Sequence, residues 1–359
     1  MAFIAPIPWH AAPRSTLAAL RGRGAHALLL HGPTGTGKWE LAMSYARDLL
    51  CERGSGTACG SCPSCVLSAA GNHPDLRVIV PDAFAWRRPG AAQEGEEQIP
   101  EPLGEASSGK SKPSREIKID QVRELTSLTA ISAHRGGCRV IVLAPAESLN
   151  LPAANALLKG LEEPPPATVF LLISDRLDRC LPTIVSRCAL VRITIPPRAL
   201  ALQWLYGQGV GADAPQRLTE AGGAPLAALR LEEHALAPDV RAALLHLLRR
   251  GPSLEPADVA NDVPRTVSID GAVALFQRWG WDYFAFRMGC ALRYHPADVA
   301  SFEVLSHHWT LRAASGWMDR LSSLRAVAEH PLNARAAIEG LLLEYIGSIA
   351  VGHEKTVES

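Results

Sequence analysis

The chain has 359 residues, of which 47% are hydrophobic, and it carries 36 basic and 36 acidic residues. This length predicts two or three domains, and the zero net charge argues against a protein that binds nucleic acid alone through a strongly basic surface. No run of about 18 apolar residues is present, and the amino terminus lacks the basic and apolar segments of a signal peptide. We therefore expect a cytoplasmic protein without a membrane-spanning helix.

Short apolar segments alternate with amphipathic ones over the first half of the chain. Strands are predicted at residues 25–30, 77–80, 139–143, 168–173 and 190–193. Helices are predicted at 39–50 and 153–163, and a third begins near Asp120, the expected N-cap of a stripe formed by Val122, Leu125 and Leu128. Continuous apolar strands between helices are typical of a parallel sheet covered on both faces, so the sequence predicts an α/β fold.

Composition changes at two places along the chain. Residues 84–114 are rich in Gly, Pro, Glu, Ser and Lys, which predicts a flexible surface insertion. Two prolines at 196–197 mark a boundary, and beyond them helices are predicted at 239–250, 271–278 and 335–349. We expect an α/β domain at 1–196, a small helical lid at 197–233 and an all-helical carboxy-terminal domain at 234–359.

A glycine-rich loop follows the first predicted strand. Its sequence, from Gly32 to Lys38, has the spacing of a phosphate loop, in which Gly32, Gly35 and Gly37 form the cradle and Lys38 neutralises phosphate. A working loop continues with Ser or Thr, whose hydroxyl binds Mg²⁺, but this chain has Trp39. The strand before the loop and the helix after it favour a degenerate phosphate loop over a chance glycine-rich turn.

The third predicted strand ends without the acids that a P-loop ATPase carries there. Ala144 and Pro145 stand where an aspartate for Mg²⁺ and a glutamate for the attacking water would be expected. Glu147 comes two residues late, and we expect it to be a solvated loop acid. Because each missing group typically costs orders of magnitude in rate, we expect no magnesium site and no self-contained ATP hydrolysis. Nucleotide binding through Lys38 and the loop backbone stays open.

Four cysteines lie close together soon after the loop, at Cys51, Cys59, Cys62 and Cys65. Without an export signal, clustered thiols favour a metal over disulfides. Four thiolates suit tetrahedral zinc, and a closed site of this kind predicts a structural role; an iron–sulfur cluster is the main alternative. The remaining cysteines are isolated, and we expect each of them to be a small apolar filler: Cys138, Cys180, Cys188 and Cys290.

Four motifs occur in a fixed order: the phosphate loop, the cysteine knuckle, the segment from Asn155 to Pro165 (NALLKGLEEPP) and the triplet Ser186-Arg187-Cys188. In this combination the chain resembles the clamp-loader AAA+ family of bacterial DNA polymerase III, over about residues 20–195. The eleven-residue segment is highly specific, whereas the triplet alone is a weak signal. The chain combines eroded ATPase motifs with an intact cysteine knuckle. In this combination it is similar to a member of the family that does not itself hydrolyse ATP.

The resemblance implies roles for individual residues. In this family the arginine of the triplet reaches across a subunit boundary to ATP bound by a neighbour, so Arg187 would act as an arginine finger in trans. A plain surface arginine in a salt bridge is the alternative. Leu226 stands where the lid domain of family ATPases places a sensing arginine. Ser174 falls close to a polar sensor position, with a core or loop hydroxyl as the alternative.

The resemblance also implies a function and partners. The chain would be a non-hydrolysing clamp-loader subunit that helps ATPase neighbours and a delta-type subunit open a sliding clamp and place it on primed DNA. DNA contact would be weak and directed at the backbone, the carboxy-terminal domain would join an oligomeric collar, and no membrane partner is expected. Two alternatives are a self-sufficient P-loop ATPase and a zinc-dependent nucleic-acid-binding module with a vestigial phosphate loop.

Overall fold

A computed structural model describes residues 7–54, 56–87, 114–129, 137–230, 236–327 and 334–354. The chain divides into two compact units, Met1–Trp204 and Leu205–Ser359. The first unit contains the sheet, and the second is helical throughout its described residues. The further division of the second half into a lid at 197–233 and a collar domain at 234–359 stays a prediction.

A parallel five-stranded sheet forms the centre of the first unit. Its strands are β1 (Ala27–His31), β2 (Leu76–Ile79), β3 (Arg139–Leu143), β4 (Thr168–Ser174) and β5 (Ala189–Arg192). They lie in the order β2-β3-β4-β1-β5. The central strands are almost completely buried, whereas the edge strands β2 and β5 are partly exposed. All five strand predictions are confirmed. They could be made from sequence because buried parallel strands consist of nearly uninterrupted apolar residues.

Helices cover both faces of this sheet, as predicted. The α-helices described from residue 7 to residue 207 are α1 (Ala11–Gly22), α2 (Lys38–Leu50), α3 (Pro63–Ala70), α4 (Ile119–Thr129), α5 (Leu151–Glu162), α6 (Pro182–Val185) and α7 (Arg198–Gly207). On one face, Leu28 and Leu30 share a core with Leu41 of α2. On the other face, Leu29 shares a core with Leu157 of α5. Successive residues of β1 thus enter opposite cores, because side chains alternate across a strand.

Two helix starts differ from the predictions. The helix α4 begins at Ile119, so Asp120 lies in its first turn and is not the N-cap; a carboxylate there still favours the positive end of the helix dipole. Val122 is buried as expected, while the side chains of residues 125 and 128 lie outside the described ones. The helix α5 begins at Leu151, because the side chain of Asn150 accepts the backbone N–H of Ala153 at 3.0 Å and caps it.

The predicted insertion at 84–114 is described only at its ends. Two short 3₁₀ turns within Asp82–Arg87, separated by a kink at Phe84, overlap its beginning. The backbone N–H of Ala83 donates to the carbonyl of Ser114 at 3.0 Å and joins the two ends. Residues 88–113 lie outside the described part of the chain.

The described residues of the second unit form eight helices. They are α8 (Ala214–Glu220), α9 (Pro225–Leu229), α10 (Pro238–Arg250), α11 (Pro256–Asp262), α12 (Ile269–Arg287), α13 (Val299–His308), α14 (Leu311–Val327) and α15 (Ala334–Glu354). The predicted helical character is confirmed, but α12 extends nine residues past its predicted end at 278. In this continuation Trp279 and Tyr283 are buried in the core of the unit, whereas Trp281 is exposed.

Aromatic side chains fill that core, and their polar atoms find partners. The indole of Trp317 donates to the carbonyl of Leu341 at 2.9 Å, and that of Trp309 donates to Ser348 Oγ at 2.9 Å. The buried hydroxyl of Tyr345 donates to the carbonyl of Leu248 at 3.2 Å. These bonds satisfy groups that would be costly to bury alone. None of the helices in the described ranges is long and apolar enough to cross a membrane.

Candidate functional site

The loop between β1 and α2 holds its three glycines in backbone conformations that other residues rarely adopt. Gly32, Gly35 and Gly37 have φ values of 148°, 78° and 90°, a region that favours glycine. A Cβ on Gly32 would lie 2.0 Å from the carbonyl oxygen of Ile193, and one on Gly37 would lie 2.7 Å from Nε2 of His10. These two glycines are therefore required by the packing of the chain on itself, whether or not a phosphate binds.

Residues just before α1 pack against this loop. The indole Nε1 of Trp9 donates to the carbonyl of Thr36 at 2.8 Å, and Nε2 of His10 lies 3.3 Å from the same oxygen. Burial lowers the pKa of His10 to about 4, so its ring is neutral at pH 7. The hydroxyl of Thr36 donates to the carbonyl of Pro33 at 2.8 Å. These contacts, which sequence reasoning missed, engage the loop carbonyls of Thr36 and Pro33.

The ammonium group of Lys38 is engaged within its own chain. Its Nζ donates to the carbonyls of Gly32 at 2.7 Å and Pro33 at 2.6 Å, and it forms an ion pair with Oδ1 of Asp175 at 2.6 Å. The Lys38 side chain is only 3% exposed, whereas that of Asp175 is 36% exposed. A lysine ammonium has three N–H donors, and three acceptors lie around this one. Sequence reasoning gave no role to Asp175.

The positions where the sequence predicted that magnesium ligands are missing are apolar in the structure. Trp39 is half-buried and packs against the core of the sheet, and it offers no oxygen at the start of α2. Ala144 is fully buried, and its peptide bond to Pro145 is cis. None of these three side chains contains an oxygen that could bind a metal ion.

Glu147 is not the solvated loop acid that was expected. Its Oε1 accepts the backbone N–H groups of Asp175 at 3.0 Å and Arg176 at 3.2 Å. Its Oε2 is buried and has no hydrogen-bond partner among the residues that the structure describes. The prediction was wrong because the turn after β4 folds back over Glu147, a contact that the sequence does not reveal. Glu147 therefore holds the backbone of the turn that carries Asp175.

Ser174, placed near a polar sensor position by the resemblance, is the last residue of β4 and is fully buried. Its Oγ accepts the backbone N–H of Arg176 at 3.1 Å and lies 3.3 Å from Sγ of Cys180, which donates to it. Both contacts lie within the turn after β4. This geometry favours the alternative reading, a hydroxyl that satisfies the end of a strand.

The four clustered cysteines converge on one point after α2. Their Sγ atoms all lie within 4.8 Å of one another: Cys51, Cys59, Cys62 and Cys65. The Cys51–Cys62 and Cys59–Cys65 sulfur pairs are 4.0 and 3.9 Å apart. A tetrahedral site with Zn–S bonds of about 2.3 Å has sulfurs about 3.8 Å apart, so the four residues fit one metal ion. A cluster of several irons, with its ligands on different metal atoms, would hold them further apart.

Backbone N–H groups point at these sulfurs. Cys62 N donates to Cys59 Sγ at 3.3 Å, and Cys65 N donates to Cys62 Sγ at 3.4 Å. Hydrogen bonds of this kind lower the pKa of the Cys59 thiol to about 5 and also lower that of Cys62, whereas burial raises the pKa of Cys65 to about 12. Cys59 and Cys62 thus favour the thiolate form, whereas Cys65 needs a nearby cation to become a thiolate.

A buried carboxylate ties the knuckle to the rest of the unit. Oδ1 of Asp48 accepts the backbone N–H of Ala58 at 2.8 Å, and Oδ2 accepts Nε of Arg14 at 2.8 Å. A second guanidinium nitrogen of Arg14 also pairs with Oδ2 and donates to Ser44 Oγ. Asp48 therefore joins the knuckle, α2 and α1, and no sequence motif marked it.

The isolated cysteines differ in their surroundings. Cys180 is buried, and Cys138 and Cys188 are half-buried, as expected of apolar fillers. Burial raises the pKa of Cys188 to about 12. Cys290 is exposed, so its prediction as a filler was wrong. It lies past the end of α12, where the chain leaves the core.

Arg187 lies at the surface between α6 and β5. Its Nε donates to Oε1 of Glu162 at 2.6 Å, and its Nη2 lies 2.5 Å from the same oxygen. Nη1 donates to the carbonyl of Thr183 at 3.0 Å and to Ser186 Oγ at 3.3 Å. The Arg187 side chain is 35% exposed. Contacts from the end of α5 and from α6 thus hold an arginine whose side chain is partly open to solvent.

Leu226, the predicted replacement for a sensing arginine, lies in α9 of the second unit. It is buried with 7% exposure, as an apolar side chain should be. A charged guanidinium at this position would need a partner to offset its desolvation.

Comparison with known proteins assigns the chain to a family. Residues 15–197, which include the loop, the knuckle and Arg187, match the family model described as DNA polymerase III, delta subunit. The chain is similar to proteins named DNA polymerase III subunit delta′: 41% identical to that of Pseudomonas aeruginosa over 62% of this chain and 60% of that protein. The protein of that name from Yersinia pestis is 36% identical over 75% of this chain and 72% of its own length. The protein of that name from Escherichia coli is 35% identical over 58% of this chain and 52% of its own length.

The chain therefore belongs to the family of DNA polymerase III delta′ subunits. The matched segments span between about half and three quarters of these relatives' lengths. Among solved structures, a DNA polymerase III gamma subunit-related protein of Thermotoga maritima is 18% identical, covers 94% of this chain and 99% of that chain, and has a TM-score of 0.42. A score this low does not establish a common fold.

Proposed function

We propose that this chain is a subunit of the DNA polymerase III clamp loader that does not hydrolyse ATP itself. It supplies Arg187 in trans to ATP bound by a neighbouring subunit and helps to place the sliding clamp on primed DNA. Its partners are ATPase neighbours and a delta-type subunit, with the clamp and DNA contacted through the complex, and its location is cytoplasmic. Membership of the delta′ family is the starting point.

The observation that carries the proposal is a contrast between two sites on one unit. The loop that should hold ATP lacks every side-chain ligand for Mg²⁺, because Trp39, Ala144 and Pro145 replace a hydroxyl and two acids. The arginine that would act on a neighbour is present, partly exposed and held by Glu162. A guanidinium so placed can stabilise charge that develops on a γ-phosphate in another subunit.

The metal and the helical unit have supporting roles in this proposal. Zinc in the four-cysteine knuckle is structural, since four protein sulfurs leave no open coordination position for a substrate. The helical residues beyond 234 join the collar of the oligomer, with the segment 197–233 as a small lid. The aromatic core of that unit gives it a rigid body on which a subunit interface can form.

The test uses the clamp loader reconstituted from cognate subunits, with Arg187→Ala in this chain. Turnover at the neighbouring ATP site is expected to fall by about 10³-fold or more, since an arginine finger typically contributes that much. Assembly, measured by size-exclusion chromatography, stays unchanged. The matched control is Arg176→Ala, which removes another exposed arginine that is paired with an acid, Asp178. This control should leave turnover as it was.

Three results would contradict the proposal in different ways. Unchanged turnover with Arg187→Ala would reject the trans role. ATP turnover by the isolated chain would favour the self-sufficient ATPase. Tight, salt-sensitive DNA binding by the isolated chain would favour the zinc-dependent nucleic-acid-binding module.

A further inference from the structure

The fold brings Asp175 to the phosphate loop. Strands β1 and β4 are parallel neighbours, and His31, the last residue of β1, pairs in register with Ser174, the last residue of β4. The next residues, Gly32 and Asp175, therefore leave the same edge of the sheet side by side. Gly32 begins the loop and Asp175 begins the turn opposite it.

The carboxylate of Asp175 stands where an anion would bind to the loop. In a working phosphate loop the lysine reaches a phosphate oxygen of the nucleotide. Here Nζ of Lys38 lies 2.6 Å from Oδ1 of Asp175, and its other donors are taken by the carbonyls of Gly32 and Pro33. With the Lys38 side chain 3% exposed, a phosphate can reach the ammonium group only if Asp175 leaves.

The turn that carries Asp175 is itself held in place. Oε1 of Glu147 accepts the backbone N–H groups of Asp175 and Arg176 at 3.0 and 3.2 Å. On the other side of the loop, Trp9 and His10 contact the carbonyl of Thr36. The ion pair thus joins two segments whose backbones are held by other contacts, and the partly exposed Asp175 side chain meets Lys38 from a turn that is anchored at its backbone.

We propose that Asp175 is an internal occupant of the phosphate loop, whose carboxylate replaces a nucleotide phosphate on Lys38 and closes the loop to nucleoside di- and triphosphates. The loss of hydrolysis follows from the missing magnesium ligands, whereas the loss of binding follows from this residue. The proposal does not depend on Arg187, and it is tested on the isolated chain, so its failure would leave the trans role untouched.

The experiment measures binding of ATP and of inorganic pyrophosphate by isothermal titration calorimetry. Wild type is compared with Asp175→Ala, which removes the occupant, and with Asp175→Asn, which keeps the size but removes the charge. Asp178→Asn is the matched control, because it neutralises another acid three residues away that pairs with Arg176 and does not contact Lys38. Thermal melting and metal content verify that every variant is folded.

We expect wild type and Asp178→Asn to bind neither ligand at concentrations below about 1 mM, and Asp175→Ala to bind at least about tenfold more tightly, because a closed loop lowers apparent affinity by the fraction of molecules that are open. The gain should disappear in the double variant Lys38→Ala/Asp175→Ala. If Asp175→Ala does not fold, the test rests on Asp175→Asn, for which we expect a smaller gain in affinity. Equal affinity in the folded Asp175 variant and wild type, or a gain that survives the loss of Lys38, overturns the proposal.

Discussion

Arg187 and Glu162 form a side-on ion pair, in which two guanidinium nitrogens approach the same carboxylate oxygen at 2.6 and 2.5 Å. The two residues are 25 positions apart and belong to two separate sequence motifs. Glu162 is the last residue of α5, and Arg187 follows α6. The pair therefore connects the NALLKGLEEPP segment with the Ser-Arg-Cys triplet, and it points to Glu162 as a positioning residue for the proposed arginine finger.

Glu162→Gln tests this positioning in the reconstituted complex. The variant should lower turnover at the neighbouring ATP site about tenfold, because the guanidinium loses its charged anchor and samples other orientations. Stability of the chain should change by less than about 1 kcal/mol, as an exposed ion pair contributes little. Glu163→Gln, at the adjacent exposed position, is the control and should have no effect. If Arg187→Ala abolishes turnover while Glu162→Gln matches wild type, Glu162 has no positioning role.

The metal site is tested by Cys62→Ser. Cys62 contacts Cys51 through sulfur and receives the N–H of Cys65, so it lies at the centre of the knuckle. We expect the purified variant to lose one equivalent of bound zinc, measured by atomic emission, and to melt at a lower temperature. Wild type treated with a strong chelator should show the same melting curve.

Cys290→Ser is the matched control for the metal, because Cys290 is an exposed cysteine outside the knuckle. It should keep both the zinc and the melting temperature of wild type. Full zinc content in the Cys62 variant would show that the four thiols do not act as one site.

Asp48→Asn is expected to destabilise the first unit by about 1–3 kcal/mol. The amide keeps an acceptor for Ala58 N but places a neutral group, or an N–H donor, against the partly buried guanidinium of Arg14. Urea unfolding measures the change. Asp178→Asn serves for comparison, since it breaks a surface pair with Arg176 and should change stability by less than about 1 kcal/mol. If the two substitutions lower the free energy of unfolding equally, the buried contacts of Asp48 stabilise the unit no more than a surface ion pair does.

The pH dependence of stability is expected to depend on His295 in the second unit. Burial lowers its pKa from 6.5 to about 4; Asp298 opposes this shift, while Arg241, Arg249 and Arg278 reinforce it. As the pH falls, His295 is therefore protonated near pH 6.5 in the unfolded chain but only near pH 4 in the folded chain. Stability is thus lost as the pH falls through this window, at up to about 1.4 kcal/mol per pH unit.

Urea unfolding at pH 7 and pH 5 measures this effect in His295→Leu. The loss of stability between the two pH values should be smaller in the variant than in wild type by about 2 kcal/mol. His307→Leu, at an exposed position of α13, should behave like wild type. The same pH dependence in all three proteins would rule out His295 as its source.

Much of the fold could be predicted because its signals are local. The strands from Ala27–His31 to Ala189–Arg192 are continuous apolar runs, and the cysteine spacing matches a metal site without any knowledge of the fold. The absence of a hydroxyl after Lys38 likewise follows from the identity of a single residue, Trp39. Helix ends were less secure: the cap at Asn150 and the length of α12 depend on side chains that satisfy backbone groups or bury aromatic surface.

The sequence by itself thus determined the class of fold, a set of four cysteines with the spacing of metal ligands, and the absence of side-chain oxygens at the positions where magnesium ligands were expected, because each depends on residue type and short spacing. The tertiary structure alone decided that Asp175 forms an ion pair with Lys38, that Glu147 accepts two backbone N–H groups of the same turn, and that Glu162 pairs with Arg187. For Lys38 and Asp175 the physical reason is the strand order β2-β3-β4-β1-β5, which places β4 beside β1. These residues, far apart in sequence, then meet at the carboxyl ends of the two strands, where charge and geometry, not sequence spacing, select the partners.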